Sequence, residues 1–272
     1  HIKTGWIKAQ MKTRYTSILF SIILLAFCSI SYGQNTTPSP EEQAIEDLIS
    51  EAQKLFSNDQ ESIEAYLLGK KACLEAEKLK RLDMINKAYH SLIRNSNVIQ
   101  HHQELLEYAN RGVKHNDNLE GSEDHWLSLL DLAYLHRTTY EFDKALDAAQ
   151  LSFAVAENLN NDSMKCLSYL AIGMALDGKG QKMEGFRYLY NAMKIAEAKS
   201  DAGLRFESYA TLASFYNFNE GHSRAIRYNN QRLKLLNELA PDDSAKRYSI
   251  LLFGEGVNYF SNDNQLNEDL VL

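Results

Sequence analysis

The sequence predicts an all-α fold, an α-solenoid of stacked antiparallel helix pairs, and a fixed repeat spacing is the first observation behind this prediction. A small or apolar residue followed directly by a large apolar residue recurs every 40 residues. The five pairs are Ala65-Tyr66, Leu105-Leu106, Ala145-Leu146, Gly185-Phe186 and Ala225-Ile226. A period of about 20 to 50 residues is typical of repeat proteins, whose units must stack to bury their apolar faces.

Helical periodicity within each unit is the second observation. Small or apolar residues follow most pairs at intervals of 4, 7, 8 and 11 residues, as Leu189, Ala192, Met193 and Ala196 do in the fourth unit. This spacing places them on one face of a helix and does not fit a strand. A companion helix precedes each pair, with an apolar residue thirteen positions upstream: Leu92, Leu132, Ile172, Leu212 and Leu252.

Breaker and capping residues supply the third observation. Turns within units are predicted at Ser57-Asn58-Asp59, Asp177-Gly178-Lys179-Gly180, Asn219-Glu220-Gly221 and Ser261-Asn262-Asp263-Asn264. Helix-start residues link successive units, at Ser122, Asn161-Asp162-Ser163, Ser200-Asp201 and Asp242-Asp243-Ser244. Pro241 lies in a link, and no proline falls inside a predicted helix. Each unit is therefore predicted to be a helix, a tight turn and a second helix.

On these residues the chain resembles the tetratricopeptide repeat family. The positions that carry the resemblance in the fourth unit are Tyr169, Ile172, Gly173, Gly185 and Ala192. The resemblance implies a right-handed α-solenoid of about five and a half units over residues 43–272. The period of 40 departs from the family's usual length of about 34, and the closing proline is absent except for Pro241.

The amino-terminal region has the layout of a secretory signal. Residues 1–10 precede Met11 and are expected to lie before the native start. Lys12 and Arg14 then precede an apolar run over 18–30 and the sequence Ser31-Tyr32-Gly33. This layout predicts a signal peptide over 11–33, cleaved after Gly33, then a linker over 34–42 and an exported, periplasmic or envelope location. An uncleaved membrane anchor is the alternative, although spanning needs about 20 apolar residues.

Charge and cysteine content narrow the class of partner. Cleavage after Gly33 would remove four basic residues and no acidic residue, which changes the net charge from −7 to −11. Such acidity argues against nucleic-acid binding through this segment and favours a neutral or basic partner.

Cys73 and Cys166 lie several helices apart at apolar repeat positions, so we expect both to be small core residues that form no disulfide.

The carboxyl end stops inside a predicted repeat. The next pair of the series is due at Gln265-Leu266, and the chain ends at Leu272, within the second helix of that unit. Solenoids normally close with a polar capping helix. We therefore expect the sequence to be a fragment of a longer protein.

No residue pattern predicts an active site, a metal site or a cofactor. His101-His102 is the closest histidine pair, but the register places it in a turn between helices, and no third ligand has metal-binding spacing. Gly178-Lys179-Gly180 lacks the serine or threonine and the preceding strand of a phosphate loop. This segment is therefore expected not to be an enzyme. A catalytic domain downstream is not addressed by these residues.

The resemblance implies that the first helices line a concave groove. The register places the following residues on its exposed face: His90, Arg94, Asn97, Tyr134, Arg137, Met174, Asp177, Ser214 and Asn217. Tyr134 and Met174 either hold an apolar side chain of a peptide or pack against neighbouring units. The family's carboxylate clamp of lysine and asparagine is not present, and Arg94 and Arg137 are the groups that could receive an acidic side chain.

Together these features predict an exported module that binds a protein or peptide. The leader and the truncated end resemble the amino-terminal repeat region of membrane-bound bacterial signalling proteins. In those proteins a membrane helix and a histidine kinase or DNA-binding output domain follow the repeats. This chain would then be the sensing or dimerisation part of such a protein, and it could form a homodimer. It would contact the membrane only through a missing downstream helix. The alternative is a free-standing periplasmic scaffold or assembly factor.

Overall fold

The structure is all-helical where the chain is described. The computed structural model describes residues 38–58, 63–96, 98–116, 121–219 and 221–239. These residues form ten α-helices and no β-strand. In chain order they are α1 (Pro40–Asn58), α2 (Ile63–Leu79), α3 (Leu82–Asn95), α4 (Val98–Asn116), α5 (Glu123–Thr138), α6 (Phe142–Asn158), α7 (Asp162–Gly178), α8 (Lys182–Ala198), α9 (Ala202–Phe218) and α10 (His222–Leu239). The predicted all-α class is confirmed for this part of the chain.

Helices that follow one another in sequence pack against one another, and each repeat unit is one helix pair. The pairs are α1–α2, α3–α4, α5–α6, α7–α8 and α9–α10. Each first helix also contacts the first helix of the next unit, from α1 through α3, α5 and α7 to α9. The first helices therefore form a continuous row, in which equivalent positions of neighbouring units lie side by side.

Side-chain contacts between units have the spacing of the repeat. The Trp126 indole donates a hydrogen bond to the Ser168 hydroxyl at 2.9 Å, and these residues lie 42 positions apart. Lys87 pairs with Glu46 at 2.5 Å, 41 positions earlier in the chain. The fold is therefore repeat-like, with a register close to the spacing of 40 read from the sequence.

Five of the ten described helices are followed by one residue in the left-handed region. The positions are Lys80, Tyr140, Asn160, Gly180 and Ser200, whose spacing is a multiple of 20, with φ between 47° and 82°. After α5 and α7 the next backbone N–H, of Glu141 and Gln181, reaches back to the carbonyl of His136 and Leu176 at 2.8 and 2.9 Å. This arrangement caps the last free carbonyl groups of a helix and turns the chain sharply.

Three predicted helix starts are confirmed as caps. The side chains of Ser122, Asn161 and Asp201 each accept hydrogen bonds from backbone N–H groups of the first turn that follows. These bonds satisfy donors that have no partner within the helix. The predicted turn over 177–180 is also confirmed, since α7 ends at Gly178 and α8 begins at Lys182.

The junction of α3 and α4 departs from the repeat. Helix α3 ends at Asn95, whereas α5 and α7 run to Thr138 and Gly178. Helix α4 begins at Val98 and is kinked at His101, and its part after the kink begins in register with α6 and α8. The Ser96 hydroxyl and backbone N–H both donate to the Leu92 carbonyl and close α3 early.

The prediction that His101-His102 lies in a turn between helices is confirmed in part. The His101 backbone is non-helical, with φ −117° and ψ 17°, and forms a kink that divides α4 at the position where other units turn. His102 begins the longer, carboxyl-terminal part of α4. The His101 ring stacks on Tyr66 of α2, with centroids 3.6 Å apart.

Small residues set the distance between helices. A Cβ built on Gly185 of α8 would lie 2.7 Å from the carbonyl oxygen of Gly173 in α7, so the two backbones are in direct contact. Cys73 and Cys166 are buried and free, which confirms their predicted place in the core.

Several predictions fall outside the described residues. They are the upstream segment 1–10, the signal peptide over 11–33, residues 34–37 of the linker and the sixth unit after residue 239. Helix α1 begins at Pro40, within the segment predicted as linker. None of the helices described is long and apolar enough to cross a membrane.

Candidate functional site

The predicted groove residues are mostly buried, not exposed as expected. The six with buried side chains are His90, Arg94, Tyr134, Arg137, Met174 and Ser214. Asp177 and Asn217 are partly exposed, and Asn97 lies outside the described residues. The expectation of an exposed stripe is wrong for the six. The six residues belong to first helices, on the side where each first helix packs against the first helix of an adjacent unit.

A buried ionic cluster joins α3 to α5. The imidazole Nδ1 of His90 lies 2.7 Å from one carboxylate oxygen of Asp131, and Arg94 Nε donates to the other oxygen at 2.7 Å. Arg94 Nη2 also donates to the backbone carbonyl of Leu130 at 3.3 Å. One carboxylate from the third unit thus holds two basic side chains that lie one helical turn apart in the second unit.

The cluster keeps Asp131 ionised although the residue is buried. Burial by itself raises the pKa of the Asp131 carboxyl, because a charge in a poorly solvated site is disfavoured. The charges and hydrogen bonds of His90 and Arg94 outweigh that effect, so the pKa lies below its usual value. At neutral pH the cluster therefore contains a solvent-excluded salt bridge between two units.

Tyr134 lies between two guanidinium groups. Arg94 stands over its ring at 4.5 Å from the centroid, and Arg137 approaches the same ring at 5.8 Å. Burial lowers the pKa of Arg137 to about 10, and the neighbouring positive charge of Arg94 acts in the same direction. The aromatic ring stabilises both cations through its electron-rich face.

The fourth and fifth units contribute a less charged continuation of this row. Met174 belongs to a buried apolar cluster that includes Leu170 and Ala210, and Ser214 donates to the carbonyl of Ala210 at 3.2 Å. Asp177 accepts a hydrogen bond from the Asn219 amide of the next unit at 3.0 Å. Burial of Met174 and Tyr134 supports packing, one of the two roles predicted for them.

Asp131 is the residue that sequence reasoning missed. Its repeat equivalents are Glu51, Ser91, Ala171 and Thr211. Glu51 is exposed and the other three are uncharged, so a buried carboxylate at this position is peculiar to the third unit. The signal that could have found it is the presence of His90 and Arg94, 41 and 37 residues earlier. One repeat length separates such residues, which brings them together between neighbouring units.

One polar atom of the cluster has no hydrogen-bond partner among the described residues. It is the second ring nitrogen of His90, Nε2, which is buried. Among the described residues, no group of three histidine, cysteine, aspartate or glutamate side chains could hold a metal ion.

Comparison with known proteins does not place the chain in a family. No protein-family model matches it, and the search of curated proteins found no significant match.

Proposed function

We propose that this chain is an exported module that binds a protein or peptide, built as a right-handed α-solenoid of tetratricopeptide type. The single observation that carries the proposal is the row of first helices, each in contact with the next. Packing of this kind curves a stack of helix pairs toward the side of the first helices. The row would then line the concave face, which repeat proteins use to hold extended partners.

The partly exposed residues of the row determine which side chains of a partner it can meet. Arg94 and Arg137 are buried against Tyr134, and Arg94 is paired with Asp131, so these groups stabilise the contact between units. Asp177 and Asn217 are partly exposed. Their carboxylate and amide favour a partner with neutral polar or basic side chains.

For the cellular role we propose the sensing or dimerisation part of a membrane-bound signalling protein, whose output domain is not in this sequence. The predicted leader supports an exported origin. A free-standing periplasmic scaffold is the second candidate. Sequencing the gene beyond residue 272 separates the two. A membrane span followed by a kinase-like or DNA-binding region supports the first, whereas a stop codon after one polar helix supports the second.

Peptide selection tests the groove. A random peptide library is panned on the immobilised full chain, and selected peptides are titrated by fluorescence anisotropy against variants. We expect Asp177→Lys with Asn217→Lys to change the affinity by about tenfold or more, because the variant reverses one charge and adds another within the interface. Tyr134→Ala with Met174→Ala removes buried side chains, so it should lower the melting temperature and tests the packing between units.

The matched control is Asp147→Lys, an exposed acid on the second helix of the third unit. It should leave the affinity unchanged. Equal binding by wild type and the variant with Asp177→Lys and Asn217→Lys, or a loss confined to Asp147→Lys, would place the binding surface elsewhere.

A further inference from the structure

Helix α2 carries an apolar stripe on its outward face. Ile63, Leu67 and Leu74 are 69%, 57% and 50% exposed, respectively. The opposite face of the helix, which includes Ala65, Gly69, Ala72 and Ala76, is buried against the rest of the chain. The three exposed residues lie within about 40° of one another around the helix axis, so they form one continuous strip.

The repeat register shows that this stripe is peculiar to the first unit. Other units are also exposed at the three equivalent positions. The equivalents of Ile63 are Gln103, Asp143, Met183 and Ser223. Those of Leu67 are Glu107, Asp147, Arg187 and Arg227, and those of Leu74 are Lys114, Ala154, Lys194 and Lys234. Apart from Met183 and Ala154 they are polar or charged. The outward face of second helices is thus a hydrophilic surface in four units and an apolar one in α2.

The spacing of the stripe fits a helix partner. Ile63, Leu67, Lys70 and Leu74 follow one another at intervals of four, three and four residues, which is the spacing of a coiled-coil seam. Lys70 within the seam is paired with Glu104 of α4 at 2.5 Å, so its charge is already balanced.

Charge along one flank of the seam favours a second copy of the same helix. Glu64, Lys71 and Lys78 are exposed and recur every seven residues, so they lie in one line beside the stripe. If two α2 helices pack antiparallel with Leu67 opposite Leu74, the Glu64 end of one line meets the Lys78 end of the other. Each dimer would then gain two pairs of opposite charge and one like-charge contact between the Lys71 side chains at the axis. Within the described part of the chain, Lys78 binds Glu75 of its own helix, at an exposed site where a pair contributes little.

We propose that α2 is a self-association surface, through which two copies of this chain pack antiparallel around a two-fold axis near Lys71. The surface lies on a second helix, outside the row of first helices, so the proposal does not depend on the groove. One helix per copy is a small interface, and we therefore expect a dissociation constant in about the micromolar range.

Sedimentation equilibrium of the full chain at increasing concentration tests the proposal. Wild type should show a monomer–dimer equilibrium. Leu67→Glu should raise the dissociation constant by more than about tenfold, since a charge replaces a leucine that the dimer would bury. Leu151→Glu is the matched control, because Leu151 is 58% exposed on α6 and belongs to no such stripe. The control should dimerise as wild type does. A monomer at every concentration, or equal effects of the two substitutions, would overturn the proposal.

Charge reversal tests the antiparallel arrangement. Glu64→Lys and Lys78→Glu should each weaken the dimer by several-fold, and the double variant should restore the wild-type constant because the pairs are re-formed with exchanged signs. If the double variant is weaker than either single variant, α2 does not pack antiparallel.

Cross-linking provides a second readout. Lys71→Cys near the two-fold axis should form a disulfide between copies under mild oxidation, whereas Asn191→Cys at the equivalent exposed position of α8 should not. Equal cross-linking at both positions would indicate random collision and overturn the arrangement.

Discussion

The interface of α3 with α5 and that of α5 with α7 occupy the same repeat register but are stabilised differently. In the first, His90 and Arg94 bind the carboxylate of Asp131 in a site removed from water. In the second, the equivalent residues are Leu130, Tyr134 and Ala171, and Leu130 and Ala171 share one apolar cluster. Both pairs of helices are nevertheless in contact. The comparison indicates that small residues and close helix packing set the spacing of units, while the side chains between first helices are free to differ.

Removing the carboxylate should break the first interface and have the largest effect. Asp131→Asn keeps the shape of the side chain but leaves Arg94 buried without that counter-charge, so the free energy of unfolding should fall by about 3–5 kcal/mol. Urea unfolding followed by circular dichroism measures it. Thr211→Val is the control at the same register, where one hydrogen bond to the Glu207 carbonyl is lost, and it should cost about 1 kcal/mol. Equal losses in the two variants would show that the ionic cluster adds nothing.

The difference in stability between wild type and Asp131→Asn should depend on pH. The pKa of Asp131 is lower in the folded protein than its usual value of about 4 in an unfolded chain. Its contribution to stability is therefore complete above about pH 4 and is lost as the pH falls through the lower, folded pKa. The gap in stability between wild type and Asp131→Asn should narrow on acidification below about pH 4. A gap that stays constant would contradict the assignment.

A methyl group placed between α7 and α8 tests whether close backbone packing sets the spacing of the helices. In Gly185→Ala the new Cβ would lie 2.7 Å from the Gly173 carbonyl oxygen and 3.1 Å from the Asp177 nitrogen, both backbone atoms. The helices must separate, at a cost of about 1–3 kcal/mol. Gly69→Ala is the control, because its nearest neighbour is the Leu92 methyl at 2.8 Å, on a side chain that can rotate. We expect little change there by thermal unfolding, and a matching loss would show that backbone contact is not what matters.

The turn residues should give the smallest effects, with opposite signs in neighbouring units. Gly180 has φ +82° and open space around its Cβ position, so Gly180→Ala should cost about 1 kcal/mol through backbone strain alone. Tyr140 occupies the equivalent turn with φ 67°, so Tyr140→Gly should relieve strain and raise stability by about 0.5 kcal/mol. Its edge contact with Phe142 is lost in exchange. Melting temperatures of the two variants compare them, and shifts of the same sign would contradict this account.

Sequence periodicity was enough to predict the helical class, the unit boundaries and three caps. Apolar spacing determines which face a helix buries, and Ser122, Asn161 and Asp201 cap helices through local hydrogen bonds that need no tertiary contact. The same reasoning predicted the break at His101, where the helix is kinked, but not the early end of α3 or the helical turn before the kink. There the Ser96 hydroxyl closes α3 early, and the Tyr66 ring of another helix stacks on His101.

The candidate site was less predictable than the fold. Its basic and aromatic residues were found from the register, but six were expected to be exposed and are buried. The register says which residues share a face of a helix. It does not say how close the next unit comes, and that distance decides whether His90 and Arg94 meet solvent or the Asp131 carboxylate.

The sequence by itself determined the repeat length, the helical class and the positions of small residues, because these follow from local periodicity and from side-chain size. Only the tertiary structure decided that Asp131 binds two basic residues of the preceding unit, and that Ile63, Leu67 and Leu74 remain uncovered on α2. Charge pairing and exposure depend on which helices come into contact and how closely, and residues 40 positions apart carry no local sign of either.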